Sequence, residues 1–317
     1  MKPSITQDQF EPHVRIRKLI YRLSFWVLCL VLLYALVRNS DWTQTGQLLL
    51  EIPIGIILFC GAGWLLSFIF RAVRFQSEWK RHEKIRFADA LQLTFIHNAA
   101  IVLVPFRIGE LGYPVLVRRL IDVSWQQCIR SLLWLRFQDG VVLLGFAFFI
   151  LPFLTIQIKL ALAFLLFAMF LFSKKWWLKK LKSRQFLVSQ LRSFLHQRST
   201  SWGWLWSVLN WLSKISVVTI FLKSLTGLST MRSLQGALTG ELSALLPLSG
   251  PAGLGTYEAG VGVGLGLPWI DVKLLMASVL VSHLFFLCIS LTGAGVALLW
   301  GSMRFKNFKS KSDISHA

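Results

Sequence analysis

The chain has 317 residues, of which 55% are hydrophobic and 15% charged, and its mean hydropathy is +0.61. That composition excludes a soluble globular domain and a disordered chain, and it fits a polytopic membrane protein. The formal charge of +20 would suit nucleic acid, but the basic residues sit beside apolar runs. They read as positive-inside bias and attraction to anionic headgroups, with no nucleic-acid partner.

Arg15, Arg17, Lys18 and Arg22 precede a first apolar run, Leu23 to Val37. This places residues 1–22 in the cytoplasm and makes the run a retained anchor, with no cleavage-site pattern behind it. A second run, Leu48 to Phe70, returns to a basic loop that starts at Arg71 and carries Arg74, Lys80, Arg81, Lys84 and Arg86. Ala88 to Phe106 is long enough to cross, but it holds His97 and Asn98 and breaks at Pro105-Phe106-Arg107-Ile108-Gly109-Glu110. A full crossing would put Arg118, Arg119 and Arg130 outside, so a hairpin entering and leaving on the cytoplasmic side is preferred.

Ser131 to Leu151 reads as a span carrying Arg136 and Asp139, three apart on one helix face. Leu160 to Phe172 returns inward, and the basic loop from Lys174 to Arg198 reads as an amphipathic helix on the membrane. Trp202 to Leu222 crosses outward with Lys214 inside it. Gly236 to Gly266 then gathers nine of the 22 glycines, Pro247, Pro251, Glu241 and Glu258. A charged, Gly/Pro-broken segment at membrane depth has to line a cavity or be buried in protein. A last span within Val272 to Trp300 precedes a basic tail, residues 301–317.

The expected fold is all-α and polytopic: one membrane domain with about six full spans and two broken re-entrant segments. The halves, residues 23–151 and 160–300, have the same layout, and Pro105 and Pro247 are 142 residues apart. Because the two broken segments enter from opposite sides, the repeat would be inverted, with a site between them.

Arg107 can hold phosphate through paired hydrogen bonds. Glu110 can pair with Arg107 or meet a cationic headgroup. Thr256 can cap a helix starting at Tyr257, leaving N–H groups for an anion beside Gly253 and Gly255. Close helix packing on small residues accounts for the glycines equally well. Arg136 and Asp139 form either a structural ion pair or a headgroup contact. His97, Glu241 and His283 are weaker candidates. Cys29, Cys60, Cys128 and Cys288 have no metal spacing. No metal or cofactor is implied, and no catalytic motif stands out.

Pro105 to Leu111, then Arg118-Arg119 and Arg136-Phe137-Gln138-Asp139, resembles the first half of the lysylphosphatidylglycerol synthase transmembrane-region family. Pro247 to Glu258 resembles that family's Gly-rich motif ending in glutamate, with Pro251 and Ala252 where mainly glycine is expected. The resemblance covers about Tyr21 to Trp300. The family includes the flippase half of the multiple peptide resistance factor, whose soluble aminoacyltransferase domain has no room in this chain. It implies a stand-alone, flippase-like integral membrane protein and does not imply lysyl transfer. The basic-residue placement adds a cell inner (plasma) membrane location with both termini cytoplasmic, and without a transferase domain or catalytic motif the chain is not expected to be an enzyme. Substrate binding would fall to Arg107, Glu110, Arg136, Asp139, Gly253, Gly255, Thr256 and Glu258. The partners expected are membrane lipids with anionic phospholipid headgroups, with a homo-oligomer or a lipid-biosynthesis enzyme as further partners left open. A membrane-embedded enzyme acting on a lipid headgroup, or a scaffold for lipid-modifying enzymes, are the alternatives.

Overall fold

The computed structural model describes residues 42–80, 85–121, 123–152, 155–161, 201–245, 251–266 and 272–313. Among the described residues the fold is helical, with no strand. The expected first run, most of the run from Leu160, the amphipathic loop, and Leu246 to Gly250 lie outside them.

Helix α1, Trp42–Glu51, and helix α2, Ile54–Trp79, are separated at Ile52 and Pro53. The expected span, Leu48 to Phe70, is corrected here. Pro53 has no N–H to donate and disfavours helix at Ile52, so the chain breaks there. Helix α2 starts after the proline and runs on to Trp79. Arg71 and Arg74 therefore belong to the helix rather than to a basic loop.

Helix α3, Phe87–Leu103, has 17 residues. At 1.5 Å per residue it is about 26 Å long, short of the ~30 Å hydrocarbon core. A 3-10 turn, Pro105–Leu111, follows, and then α4, Gly112–Leu120, which packs back on α3. Gly109 permits this reversal, because a Cβ there would stand 1.9 Å from the Ala100 carbonyl oxygen. Helix α5, Trp125–Ile150, begins with a reciprocal cap between Ser124 and Gln127.

Helix α6, Ser201–Thr226, leads to α7, Thr230–Ser243. A second 3-10 turn, Pro251–Gly253, precedes α8, Thr256–Leu265, and the long α9, Val272–Asp313. Helices α7 and α8 pack as a pair through small residues on both sides. A Cβ on Gly264 would lie 2.0 Å from Thr239 Oγ1 and 2.4 Å from the Gln235 carbonyl. One on Gly260 would lie 2.4 Å from Ser243 Oγ, and one on Gly240 would lie 2.5 Å from Val261 Cγ2. The spacings Gly236-x-x-x-Gly240 and Gly260-x-x-x-Gly264 thus let two backbones approach closely.

Among the described residues four helices are long and apolar enough to cross a membrane: Ile54–Trp79, Trp125–Ile150, Trp202–Thr226 and Met276–Leu299. Helix α2 packs along α6, and α9 packs on α3. Stacked rings close the centre, with Trp64 on Phe286 and Phe221 on Phe285, each at 4.4 Å between centroids. Large apolar side chains also face outward, Leu50 at 87%, Val263 at 78% and Leu299 at 73% exposure. Such an apolar exterior belongs in lipid. Most important for the site, the two 3-10 turns touch each other, and the second also touches α3. The two broken segments meet.

Candidate functional site

Eight charged side chains from both halves gather where the turns meet, and most of them pair. Arg74 Nη1 lies 2.6 Å from Asp139 Oδ1, with the two side chains only 3% and 5% exposed. The same carboxylate oxygen accepts from Ser207 Oγ at 3.1 Å and Trp211 Nε1 at 2.9 Å. Gln138 Oε1 and the Leu135 carbonyl take the remaining Arg74 donors. A buried charge with this many partners is fully satisfied, and it ties α2, α5 and α6 together.

Arg136 turns the other way. Its Nε donates to Glu110 Oε2 at 3.1 Å, and its Nη1 is 3.6 Å from Asp139 Oδ2. Glu110, on the first turn, is thus held by α5. The expected pairing of Glu110 with Arg107 has this alternative in place; the Arg107 side chain lies outside the described residues. In the second half, Lys214 Nζ donates to both oxygens of Glu241, at 3.0 and 2.9 Å. The Lys214 ammonium also sits over the rings of Trp64 and Trp211, at 4.5 and 5.2 Å.

Glu258 occupies the start of α8. Its Oε2 accepts the Gly255 N–H at 2.6 Å, and its Oε1 lies 2.6 Å from His283 Nδ1. Thr256 does not cap the helix as expected. It is the first helical residue, its hydroxyl donates to the Gly253 carbonyl, and Gly255 stands at the cap position. The reason is backbone geometry: Gly253 and Gly255 have φ of +80° and +87°, which glycine adopts freely. Ala252 has φ +56°, where an L-residue is strained by roughly 1–2 kcal/mol. One N–H at the expected anion site is therefore taken by the protein's own carboxylate.

A cavity of about 150 Å³ opens between these groups. Arg71 and Arg136 line it from the first half, and Lys214, Glu241, Tyr257 and His283 from the second. Gly253 and Ala252 contribute backbone to its wall. Glu258 lies behind His283 and Tyr257, whose rings are 4.4 Å apart. A smaller cavity of about 40 Å³ adjoins it, sharing Arg71 and Arg136 and lined also by His97 and Asp139. His97 is buried there, and among the described residues its Nε2 has no hydrogen-bond partner.

Arg71 differs from its neighbours. Its Nη1 reaches Asn98 Oδ1 at 3.4 Å, and among the described residues it has no carboxylate partner. Sequence reasoning missed both Arg71 and Arg74. The usable signal was the apolar pattern Phe68, Ala72, Phe75 and Trp79, which continues past the two arginines and keeps them on a helix. Of the expected residues, Arg136, Gly253 and His283 line the larger cavity, as does Glu241; Asp139 and His97 line the smaller one; Glu110, Gly255, Thr256 and Glu258 stand immediately behind them.

No curated protein and no solved structure matches the chain. A family model does, described as the lysylphosphatidylglycerol synthase TM region, and it aligns over residues 19–294. With the match spanning both halves and both turns, the chain belongs to the lysylphosphatidylglycerol synthase transmembrane-region family of multi-pass membrane proteins.

Proposed function

We propose that the cavity receives the anionic headgroup of a membrane phospholipid and that the protein carries this lipid between leaflets. The observation that carries the reading is Arg71, a guanidinium lining a cavity with no carboxylate of its own among the described residues. A phosphate group offers it paired hydrogen bonds and charge balance. Arg136 and Lys214 line the same cavity, while their carboxylates keep the site from being a permanent concentration of positive charge. The acyl chains would remain in lipid beside the apolar exterior.

The element order favours alternating access. Span, helix, 3-10 turn, helix, span runs from α2 to α5 and again from α6 to α9. With the positive-inside orientation, with N- and C-termini cytoplasmic, the first hairpin enters from the cytoplasm and the second from outside. That is an inverted repeat with the site at its midplane. The lipid-biosynthesis setting of the family accords with a lipid substrate rather than a soluble one.

The test is leaflet exchange in liposomes. Labelled phosphatidylglycerol, phosphatidylcholine and an aminoacylated lipid are followed with wild type, Arg71→Gln and Glu110→Gln. Exchange of the anionic lipid is expected with wild type and a loss of at least tenfold with Arg71→Gln. Equal rates in wild type, variants and empty vesicles would sink the translocator reading. A second reading, a membrane-embedded enzyme acting on a headgroup, draws on the Glu258–His283 pair, an acid/base couple whose histidine faces the cavity. Mass spectrometry of the lipids after prolonged incubation decides it, because unchanged masses exclude it.

A further inference from the structure

The charges around the cavity leave one cation and one titratable pair over. Arg74–Asp139, Arg136–Glu110 and Lys214–Glu241 are ion pairs. Among the described side chains of this cluster, that leaves Arg71 on α2 and the Glu258–His283 pair across the cavity. With no extra proton the pair carries one negative charge and balances Arg71. An anion on Arg71 would take over that balance. The Glu258–His283 pair would then hold an uncompensated negative charge away from water, which is unfavourable. One proton on the pair removes the imbalance, whichever of the two groups holds it.

We infer that this protein takes up one proton on the Glu258–His283 pair for each lipid phosphate it binds, so that lipid movement is coupled to proton movement. The inference rests on the proposed lipid-headgroup site. The atoms balance simply: a proton from the aqueous face joins the His283 imidazole or the Glu258 carboxylate as the phosphodiester arrives, and leaves when it departs. No bond is made or broken in the lipid.

The geometry suits this role. His283 lines the cavity and is half-buried, so a proton that enters the cavity can reach it, while Glu258 behind it is shielded. Glu258 is buried behind it, 2.6 Å from Nδ1. Its other oxygen accepts the Gly255 N–H, a bond a protonated or amide side chain can still accept. The groups facing His283 are known from each packed element. Tyr257 and Glu258 come from α8, Glu241 from α7, Lys214 from α6, Arg71 from α2 and Arg136 from α5. Helix α3 presents the uncharged Asn98 to this cavity and His97 to the adjoining one, and Glu51 on α1 is exposed. The carboxylate of Glu241 is already held by Lys214 through two bonds. Of the titratable groups lining this cavity, that leaves the Glu258–His283 pair as the one whose charge an arriving anion alters.

Calorimetry on the full chain in detergent tests this, with dihexanoyl phosphatidylglycerol as the probe. Its phosphodiester does not titrate near neutral pH, so any proton comes to the protein. Titrations in buffers of different ionisation enthalpy give the protons taken up per lipid. Wild type is expected to take up about one, and its affinity to strengthen toward tenfold per pH unit on acidification. Glu258→Gln is expected to lose both the uptake and the pH dependence. Should that variant not fold, His283→Gln is expected to cut the uptake by more than half. Lipid binding by wild type without proton uptake overturns the coupling and leaves the headgroup site standing, as does full uptake in Glu258→Gln. No lipid binding at any pH overturns the headgroup site and the coupling together. Equal affinity for glycerophosphoglycerol, the same phosphodiester without acyl chains, assigns the site to a free phosphodiester and overturns the lipid reading.

Discussion

Asp139 and Arg71 show how differently two buried charges on neighbouring helices can be used. Asp139 is saturated by an arginine, a serine and a tryptophan. Removing it leaves Arg74 buried without a counter-charge, a loss of about 3–5 kcal/mol. Asp139→Ala is therefore expected to fold poorly, or to melt well below wild type in detergent, as a thermal unfolding scan would read. Glu110→Gln is the contrast, because its ion pair with Arg136 is less buried. Its melting temperature is expected to stay close to that of wild type while lipid exchange falls. Arg71→Gln is expected to leave stability almost unchanged, since no carboxylate among the described residues loses a direct ion-pair contact and the Glu258–His283 pair can take a proton instead, and to abolish binding of the anionic lipid. A large stability loss in Arg71→Gln would show that its charge is structural. A charged residue inside a predicted span could be flagged from sequence at Arg136 and Asp139. Which charge is saturated and which is left open was not legible, because Arg74 and Asp139 are 65 residues apart in the chain.

The glycine-rich stretch serves two purposes that sequence could not separate. Gly236, Gly240, Gly260 and Gly264 let α7 and α8 touch, while Gly253 and Gly255 shape the turn. Gly264→Ala puts a methyl group 2.0 Å from Thr239 Oγ1 and 2.4 Å from a backbone carbonyl. The expected cost is about 1–3 kcal/mol from overpacking, seen as a lower melting temperature. Gly295→Ala is the control on α9, where a Cβ meets nothing within 4 Å, and no loss is expected there. Equal melting of the two variants would mean that α7 and α8 are not in contact in the membrane. The break at Pro105 was legible because proline and the residue before it resist helix. The start of α2 was legible for the same reason at Pro53, yet the apolar run from Leu48 masked it.

At the scale of the whole molecule, the decisive feature is the contact between the two turns. The orientation built on the basic loops has a direct test in a cysteine-free background. Gln126→Cys, exposed in the first turn of α5, is expected to react with a membrane-impermeant maleimide only from the cytoplasmic side. Ser229→Cys, exposed before α7, is expected to react only from outside. Labelling of both from one side would overturn the proposed inverted repeat and the proposed midplane site with it.

From sequence alone the membrane class, the helical fold, the two broken segments and the family were determined. These follow from local properties: apolar length, proline and glycine positions, and the placement of basic residues along the chain. Only the tertiary structure decided that the broken segments meet, that Arg71 and Arg74 lie within a helix beside them, and that each carboxylate has its particular partner. Those outcomes depend on how α2, α5, α6 and α9 pack, and an ion pair between residues far apart in the chain leaves no local trace. The Gly255 to Glu258 cap makes the same point in small: glycine at that position was visible, but the carboxylate folding back to fill the anion site was decided by a backbone that only the packed turn adopts.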